Sequence, residues 1–355
     1  RVFPIWKAII PGINGCLPTK NINWLYQFWE EKILNNVSST RVGFMQGLEA
    51  LAEEDDRIML VCADSLKAMR ADPFLEKFPD RVVELGIAEQ NAAGVSAGLA
   101  LGGLIPYFAT YAGFITMRAC EQIRTFIAYP NLDVKMVGIN GGLAAGEREG
   151  VSHQFFEDLA IMRSIPNITV LVPADAGQAR QAAKAAAEIP GPVYIRLGSG
   201  RDPVIFDDKQ PFVPGKIHIL EQRGNDLVFF CNGLMIPRVL VASALLEAKG
   251  IACTVVEVHT LKPLDTEAIV ELLKDCRAAV TAEDHNIIGG LGSAIMECAA
   301  EHCPVPVARI GLRDVFPGSG HPEALLDFYG MSVNDIVEAA ISTINRKPNP
   351  FPNEE

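Results

Sequence analysis

At 355 residues the chain exceeds one ordinary domain, and dividing by about 150 residues points to two. It is 49% hydrophobic and 21% charged, the balance of a globular protein with substantial cores. Its 43 acidic and 31 basic residues leave a net charge of −12, which argues against a nucleic-acid or anionic-membrane surface, and no apolar run approaches the ~20 residues of a membrane helix.

Residues 1–37 stand apart. All three tryptophans (Trp6, Trp24, Trp29) fall here with Pro4, Pro11 and Pro18, and no periodicity is sustained. The segment lacks the pattern of a secretory signal and reads as an atypical N-terminal extension, or as an ordered arm against a neighbour. From Ser38 the pattern becomes regular. Ser39 or Thr40 can cap a helix over 41–54 with Phe44, Leu48 and Leu51 on one face. The continuous apolar run 57–63 reads as a buried parallel strand closed by Asp64. A strand at 82–85, a turn at Gly86 and a small-residue helix headed by Glu89 follow. Next come a strand at 104–109, a helix at 114–128, a strand at 134–139 and a Gly-rich loop at 140–152. A helix at 155–163, a strand at 168–172, a helix at 175–188 and a strand at 193–197 complete a first block, 38–200. Strand–helix alternation of this kind means right-handed βαβ crossovers on a parallel sheet. The aperiodic Gly- and Pro-rich stretch after Gly198 places a linker at 201–215. A second α/β block, 216–347, carries strands at 226–231, 252–258, 278–282 and 305–310. Its helices fit 237–249, 266–274, 291–301 and 333–344, and a polar tail covers 348–355. The fold class expected is α/β, two consecutive three-layer domains with mainly parallel sheets.

Eight cysteines are scattered without a Cys-x-x-Cys pair, several inside strand-like runs, as buried thiols in a reducing, cytoplasmic compartment would be. The histidines show no metal-ligand spacing. Open α/β sheets take ligands beyond the carboxyl ends of their strands. Asp64, the segment Gly86 to Glu89, Thr110 to Phe114, Asn140 to His153 and Gly198 to Arg201 therefore converge on one edge. Glu89 enters an almost wholly apolar helix, where a carboxylate needs a partner or a raised pKa; the plainer reading is a charge favoured by the helix dipole. His153 follows the polar loop Gly146-Glu-Arg-Glu-Gly-Val-Ser152, and a place at a helix start would disfavour its protonated form. Tyr111 and Phe114 are a flat wall for a heteroaromatic ring or plain core aromatics. No dinucleotide fingerprint, P-loop or Gly-x-Ser-x-Gly elbow is present.

Three segments in order, Val83-Glu-Leu-Gly-Ile-Ala-Glu-Gln-Asn91, Glu121-Gln-Ile-Arg-Thr-Phe-Ile-Ala-Tyr-Pro130 and Ser152-His-Gln-Phe-Phe-Glu-Asp-Leu-Ala-Ile-Met-Arg-Ser-Ile-Pro-Asn167, resemble transketolase. More narrowly they resemble the C-terminal subunit of split transketolases, which carries the pyrimidine-binding and C-terminal domains of this thiamine-diphosphate-dependent superfamily. The likeness runs from about Ser39 to Ile344. It implies transfer of a two-carbon ketol unit from a ketose to an aldose, with thiamine diphosphate as cofactor. Glu89 matches the glutamate that hydrogen-bonds the aminopyrimidine ring, with Ile87 beside it; Tyr111 and Phe114 match the aromatic wall and Asp64 an acid at the cofactor edge. His153 matches the histidine that handles substrate hydroxyl protons. The superfamily's Gly-Asp-Gly motif, which holds the diphosphate and its Mg2+ (or Ca2+), does not occur in this sequence, so no metal ligand is expected here. The resemblance implies a separate diphosphate-binding N-terminal subunit and an α2β2 heterotetramer.

The substrate side departs from the family pattern. Arg41 matches a sugar-phosphate arginine, but the companion serine is Ala68, the expected histidine is Asn140 and the second phosphate arginine falls near Ser199, with Arg201 two residues on. The acid expected before His153 is Glu149. These changes point to a sugar with a different anion or none, unless Arg196, Arg201 or a partner residue restores the site. Rival readings are a 1-deoxy-D-xylulose-5-phosphate synthase-like chain, a 2-oxoacid dehydrogenase beta-type subunit and a non-catalytic assembly subunit. Glu283-Asp-His-Asn-Ile-Ile-Gly-Gly-Leu-Gly-Ser293 looks like an anion-binding helix start, to which no catalytic role is given.

Overall fold

The structure, a computed structural model, describes residues 36–143, 149–200, 202–206 and 210–346. Arg201, the polar tail and all but the last two residues of the expected extension lie outside the described residues. In chain order the strands are β1 (Val37–Ser38), β2 (Ile58–Cys62), β3 (Val82–Glu84), β4 (Ile105–Tyr111), β5 (Lys135–Ile139), β6 (Thr169–Leu171), β7 (Val193–Arg196) and β8 (Asp202–Pro203). The second half adds β9 (His218–Gln222), β10 (Leu227–Cys231), β11 (Cys253–Glu257), β12 (Thr260–Lys262), β13 (Ala279–Asn286) and β14 (Val307–Leu312).

The expected α/β class is borne out. A seven-stranded sheet runs β12-β6-β7-β5-β4-β2-β3 and a five-stranded one β14-β13-β10-β11-β9. Pairs within β2 to β7 are parallel, as are those among β10, β11, β13 and β14. Their apolar runs explain this: β5, β7, β10 and β11 are buried at every position, as a strand covered on both faces must be.

Local chemistry places the helices. Ser39 Oγ caps the Thr40–Glu54 helix by accepting from the Val42 N–H at 3.3 Å, and Asp175 Oδ1 caps Ala176–Glu188 through the Gln178 N–H at 2.9 Å. These two helices cross at Gly43 and Gly47, one turn apart. A Cβ on Gly43 would stand 2.1 Å from the Ala176 carbonyl oxygen, so only glycine permits the approach.

Two features escaped the periodicity. Edge strands β9 and β12 are antiparallel, and β12, although it follows β11 in the second half, pairs with β6 of the first sheet. The short helices Leu66–Met69, Asp72–Lys77 and Pro322–Phe328 are also new, being too brief to show a 3.6-residue repeat. The core is shared: Val61, Phe108 and Met136 of the first half lie in one buried cluster with Phe230, Val256, Leu273 and Ile295 of the second. The expected helix at 114–128 is wound as π turns at Phe114–Arg118 and Ile123–Ala128 around a short α turn, Cys120–Gln122.

Candidate active site

The carboxyl ends of β2, β3, β4, β5 and β7 open onto one edge of the large sheet. Glu84 closes β3 and ties two of these ends together, its Oε1 accepting from the Asp64 N–H at 2.7 Å and the Gly86 N–H at 3.0 Å. Gly86, at φ +67°, turns the chain into the Glu89–Leu101 helix. The preceding residue, Ala88, supplies no side-chain cap, and Glu89 is the first helical residue, 2% exposed.

The partner that a buried carboxylate demands is Arg118. Its Nη1 donates to Glu89 Oε1 at 2.6 Å, while Glu89 Oε2 is buried without a hydrogen-bond partner. The Arg118 guanidinium lies 4.2 Å from the Phe114 ring centroid, a cation–π contact that holds it over the aromatic wall. The π turn brings Phe114 and Arg118 to this shared place.

Tyr111, Phe114, His153 and Phe155 form one cluster. Tyr111 and Phe114 meet edge-on at 5.5 Å, and both meet the His153 ring edge-on, at 5.2 and 5.5 Å. Phe155 backs Phe114 at 5.3 Å, and a Cβ on Gly113 would stand 1.9 Å from its ring, so this corner requires glycine. Tyr111 and Phe114 are partly buried, and Tyr111 also packs against the core cluster of Phe44, Tyr107 and Ile139. Contacts thus run unbroken from Glu89 through Arg118 and Phe114 to His153.

His153 corrects one expectation. It ends a 3-10 turn, Gly150–His153, and the next helix starts only at Asp158. Phe155 is held extended by bridges to Gly141 and Gly142, so the helix cannot begin at 155 and its dipole does not act on His153. The histidine's Nδ1 instead lies 3.0 Å from Ser152 Oγ.

Other expected residues are more dispersed in role. Asp64 is exposed at φ +53°, and Ile87 is 74% exposed. Glu149 is exposed, its carbonyl accepting from Ser152 Oγ at 3.3 Å. Asn140 has φ +55° and a buried Oδ1 without a partner. Arg41 turns toward backbone: Nη1 donates to the Ala68 carbonyl at 3.0 Å and Nη2 to the Ser199 carbonyl, while Nε is buried without a partner. Burial pushes the Arg41 guanidinium below its usual value. Arg196 is committed elsewhere, with Nε 3.1 Å from Asp158 Oδ2 and Nη2 donating to the Asp284 carbonyl at 2.7 Å. It is buried, and these bonds engage its guanidinium within the fold.

Sequence reasoning missed Arg118 and Phe155. Arg118 follows Phe114 by four residues, a helical aromatic–arginine spacing that was there to be seen; Phe155 follows His153 by two, a strand spacing.

Comparison with known proteins adds an independent line. Residues 37–201 match the family "Transketolase, pyrimidine binding domain" and residues 215–336 match "Transketolase, C-terminal domain". The chain is 40% identical to a 6-deoxy-6-sulfo-D-fructose transketolase subunit of Clostridium sp. (strain MSTE9), over 83% of this chain and 91% of that one. It is 37% identical to an apulose-4-phosphate transketolase subunit of Actinobacillus succinogenes, over 79% and 91%. Among solved structures, one described as a split gene transketolase, inactive beta4 tetramer, superposes with a TM-score of 0.82 at 43% identity, covering 88% of this chain and all (100%) of the other.

Proposed function

The chain belongs to the transketolase family, and on that premise we propose how its residues serve as one half of a shared active site. It is a subunit of a split transketolase, a thiamine-diphosphate-dependent transferase of ketol units. The observation that carries the reading is Glu89: a buried carboxylate with one oxygen paired to Arg118 and the other bare, beside a partly buried aromatic pair. A bare buried oxygen is costly unless a ligand completes it. An aminopyrimidine ring, flat and with a nitrogen able to share a proton, has the chemistry to do so, and the residues present fit the group.

Thiamine diphosphate, when bound, supplies a nucleophilic carbon and an electron sink. This chain supplies position and protonation. Glu89 Oε2 would hold the ring nitrogen's proton, in a low-dielectric setting that strengthens the bond. Tyr111 and Phe114 would flank the ring and Ile87 would cover it, with Asp64 at its edge. His153, held edge-on between Tyr111 and Phe114 and within reach of Ser152, would move hydroxyl protons of the sugar. The diphosphate and its Mg2+ or Ca2+ would be held by a partner subunit carrying Gly-Asp-Gly, in an α2β2 assembly. Scattered free cysteines support action in the cytoplasm.

On the sugar side, Arg41, Asn140, Glu149, Ser199 and Arg201 remain the proposed contacts. Arg41 is engaged by two backbone carbonyls and Asn140 offers an unpaired amide oxygen, which supports a sugar other than the usual pentose and hexose phosphates. Relatives named for a sulfonated sugar and for apulose 4-phosphate agree with that direction. The test is to co-purify the chain with its Gly-Asp-Gly-bearing partner and measure ketol transfer. Xylulose 5-phosphate with ribose 5-phosphate should turn over poorly against a sulfonated ketose. Turnover by this chain without a partner would sink the half-site reading, and ordinary efficiency with the pentose phosphates would sink the altered substrate.

A further inference from the structure

His153 lies between β5 and the Asp158–Ser164 helix, and the described ends of that connection, Gly141–Leu143 and Phe155–Phe156, are both gripped by the second sheet. On the outgoing arm the Leu143 N–H donates to Asp284 Oδ1 at 2.8 Å. On the returning arm the Asn286 N–H donates to the Phe156 carbonyl at 2.8 Å. Arg196 Nη2 joins β13 to the returning arm, donating to the carbonyls of Asp284 at 2.7 Å and Phe155 at 3.4 Å. The arms also join each other through the Gly142 N–H and the Phe155 carbonyl at 2.7 Å. Gly142 sits at φ +100°, and a Cβ there would stand 2.1 Å from Asp284 Oδ2, so the backbone of the loop is pressed against this carboxylate with no room for a side chain.

We propose that Asp284, two residues before the end of β13 in the C-terminal domain, is a positioning residue for His153. This rests on the reading that His153 acts on the substrate. A carboxylate 3% exposed that accepts from a backbone N–H makes a charge-assisted bond in a dry setting. Leu143 is fixed at one end and Asn286 fixes Phe156 at the other, three residues from His153, before any sugar arrives. Small misplacements of a reacting group are expensive in rate, about 10²-fold for ~1 Å. The acceptor oxygen is what the loop needs, so the C-terminal domain contributes to catalysis through the loop it grips.

The experiment has two arms. Hydrogen exchange on the full chain should show the amides of 142–143 exchanging at least about 10-fold faster in Asp284→Ala, with protection largely restored in Asp284→Asn, whose amide oxygen can still accept. Ile269→Val, a change in a buried cluster that holds no residue of 141–156, should lower Tm without altering exchange at 142–143. In the reconstituted complex Asp284→Ala should lower kcat by about 10- to 100-fold while KM moves less than about 3-fold, and Asp284→Asn should recover most of the loss. Should Asp284→Ala not fold, Asp284→Ser, too short to reach Leu143, takes its place. Unchanged exchange at 142–143, or an Asn variant as impaired as Ala, would overturn the proposal. A wild-type complex without ketol transfer would instead defeat the functional reading, and the exchange result would still decide whether Asp284 holds the loop.

Discussion

Glu89 and Glu283 are almost the same object in two places. Each is a glutamate buried to within 2% of full enclosure beside the first turn of a helix rich in small residues, Glu89 heading the helix itself and Glu283 reaching it from within β13. Glu283 spends both oxygens on its own fold: Oε2 accepts from the Leu291 N–H at 2.6 Å and Oε1 from the Gly292 N–H at 2.8 Å, so it caps that helix from a distance. Glu89 heads its helix instead of capping it, and keeps one oxygen bare. The difference teaches that burial of a carboxylate is not the mark of chemistry; incomplete satisfaction next to open aromatic surface is. Glu257 sharpens the point. Its Oε1 is equally bare, but Oε2 is taken by Gln178 at 2.9 Å, the neighbours are His218 and His259, and the rings against those histidines, Phe206 and Phe212, are buried.

The largest expected effect follows directly. Glu89→Gln should cost the complex about 10²- to 10⁴-fold in kcat, the range for loss of a general acid–base group, and leave Tm nearly unchanged. Stopped-flow turnover beside calorimetry separates the two, and an undiminished rate would favour a non-catalytic assembly role. Glu283→Ala should do the reverse. Leaving two backbone N–H groups unsatisfied costs about 2–6 kcal/mol, read by urea unfolding, while activity falls only with the folded fraction. Equal damage to rate and stability from both variants would erase the contrast.

Next in size is the Glu89–Arg118 pair. Arg118 is 45% exposed, so solvent screens the pair and its coupling should be only about 1 kcal/mol. A double-mutant cycle of Glu89→Gln and Arg118→Gln measured by unfolding checks it; zero coupling would mean the contact merely parks the guanidinium. The smallest effect belongs to His259. Burial, chiefly, pushes its pKa below the usual histidine value, against Glu257. The folded state therefore binds the proton more weakly than the unfolded chain. Its contribution to stability is intact above about pH 6.5 and is lost as pH falls through the unfolded value toward the folded one. The drop in Tm from pH 8 to pH 5.5 should be shallower in His259→Asn than in the wild type; a parallel drop would assign the acid sensitivity elsewhere.

Much of this was readable in the chain because the relevant signals are local. Glu89 stands out by contrast with its apolar helix, and Tyr111, Phe114 and His153 follow strands that periodicity finds. The Val333–Ile344 helix agrees with its expected 333–344 range because Ser332 and Asp335 make a reciprocal capping box. What was not readable depends on partners distant in sequence. The spacing flags Arg118 beside Phe114 but not its bond to Glu89, 29 residues earlier, and Arg41 meets Ala68 and Ser199 through carbonyls, which no side-chain pattern encodes. The dipole argument at His153 failed because Gly141 and Gly142 pair with Phe155, a contact invisible to any helix template.

Strand β12 has a consequence for anyone wishing to take the molecule apart. Only three residues long, it lies antiparallel along β6 and covers the outer edge of a sheet otherwise built from the first half. Cutting the chain between 201 and 215 and discarding the second half would strip that cover. The row of backbone N–H and C=O groups on β6 would then be a template for any passing extended segment, so the isolated first half should clump where the intact chain stays dispersed.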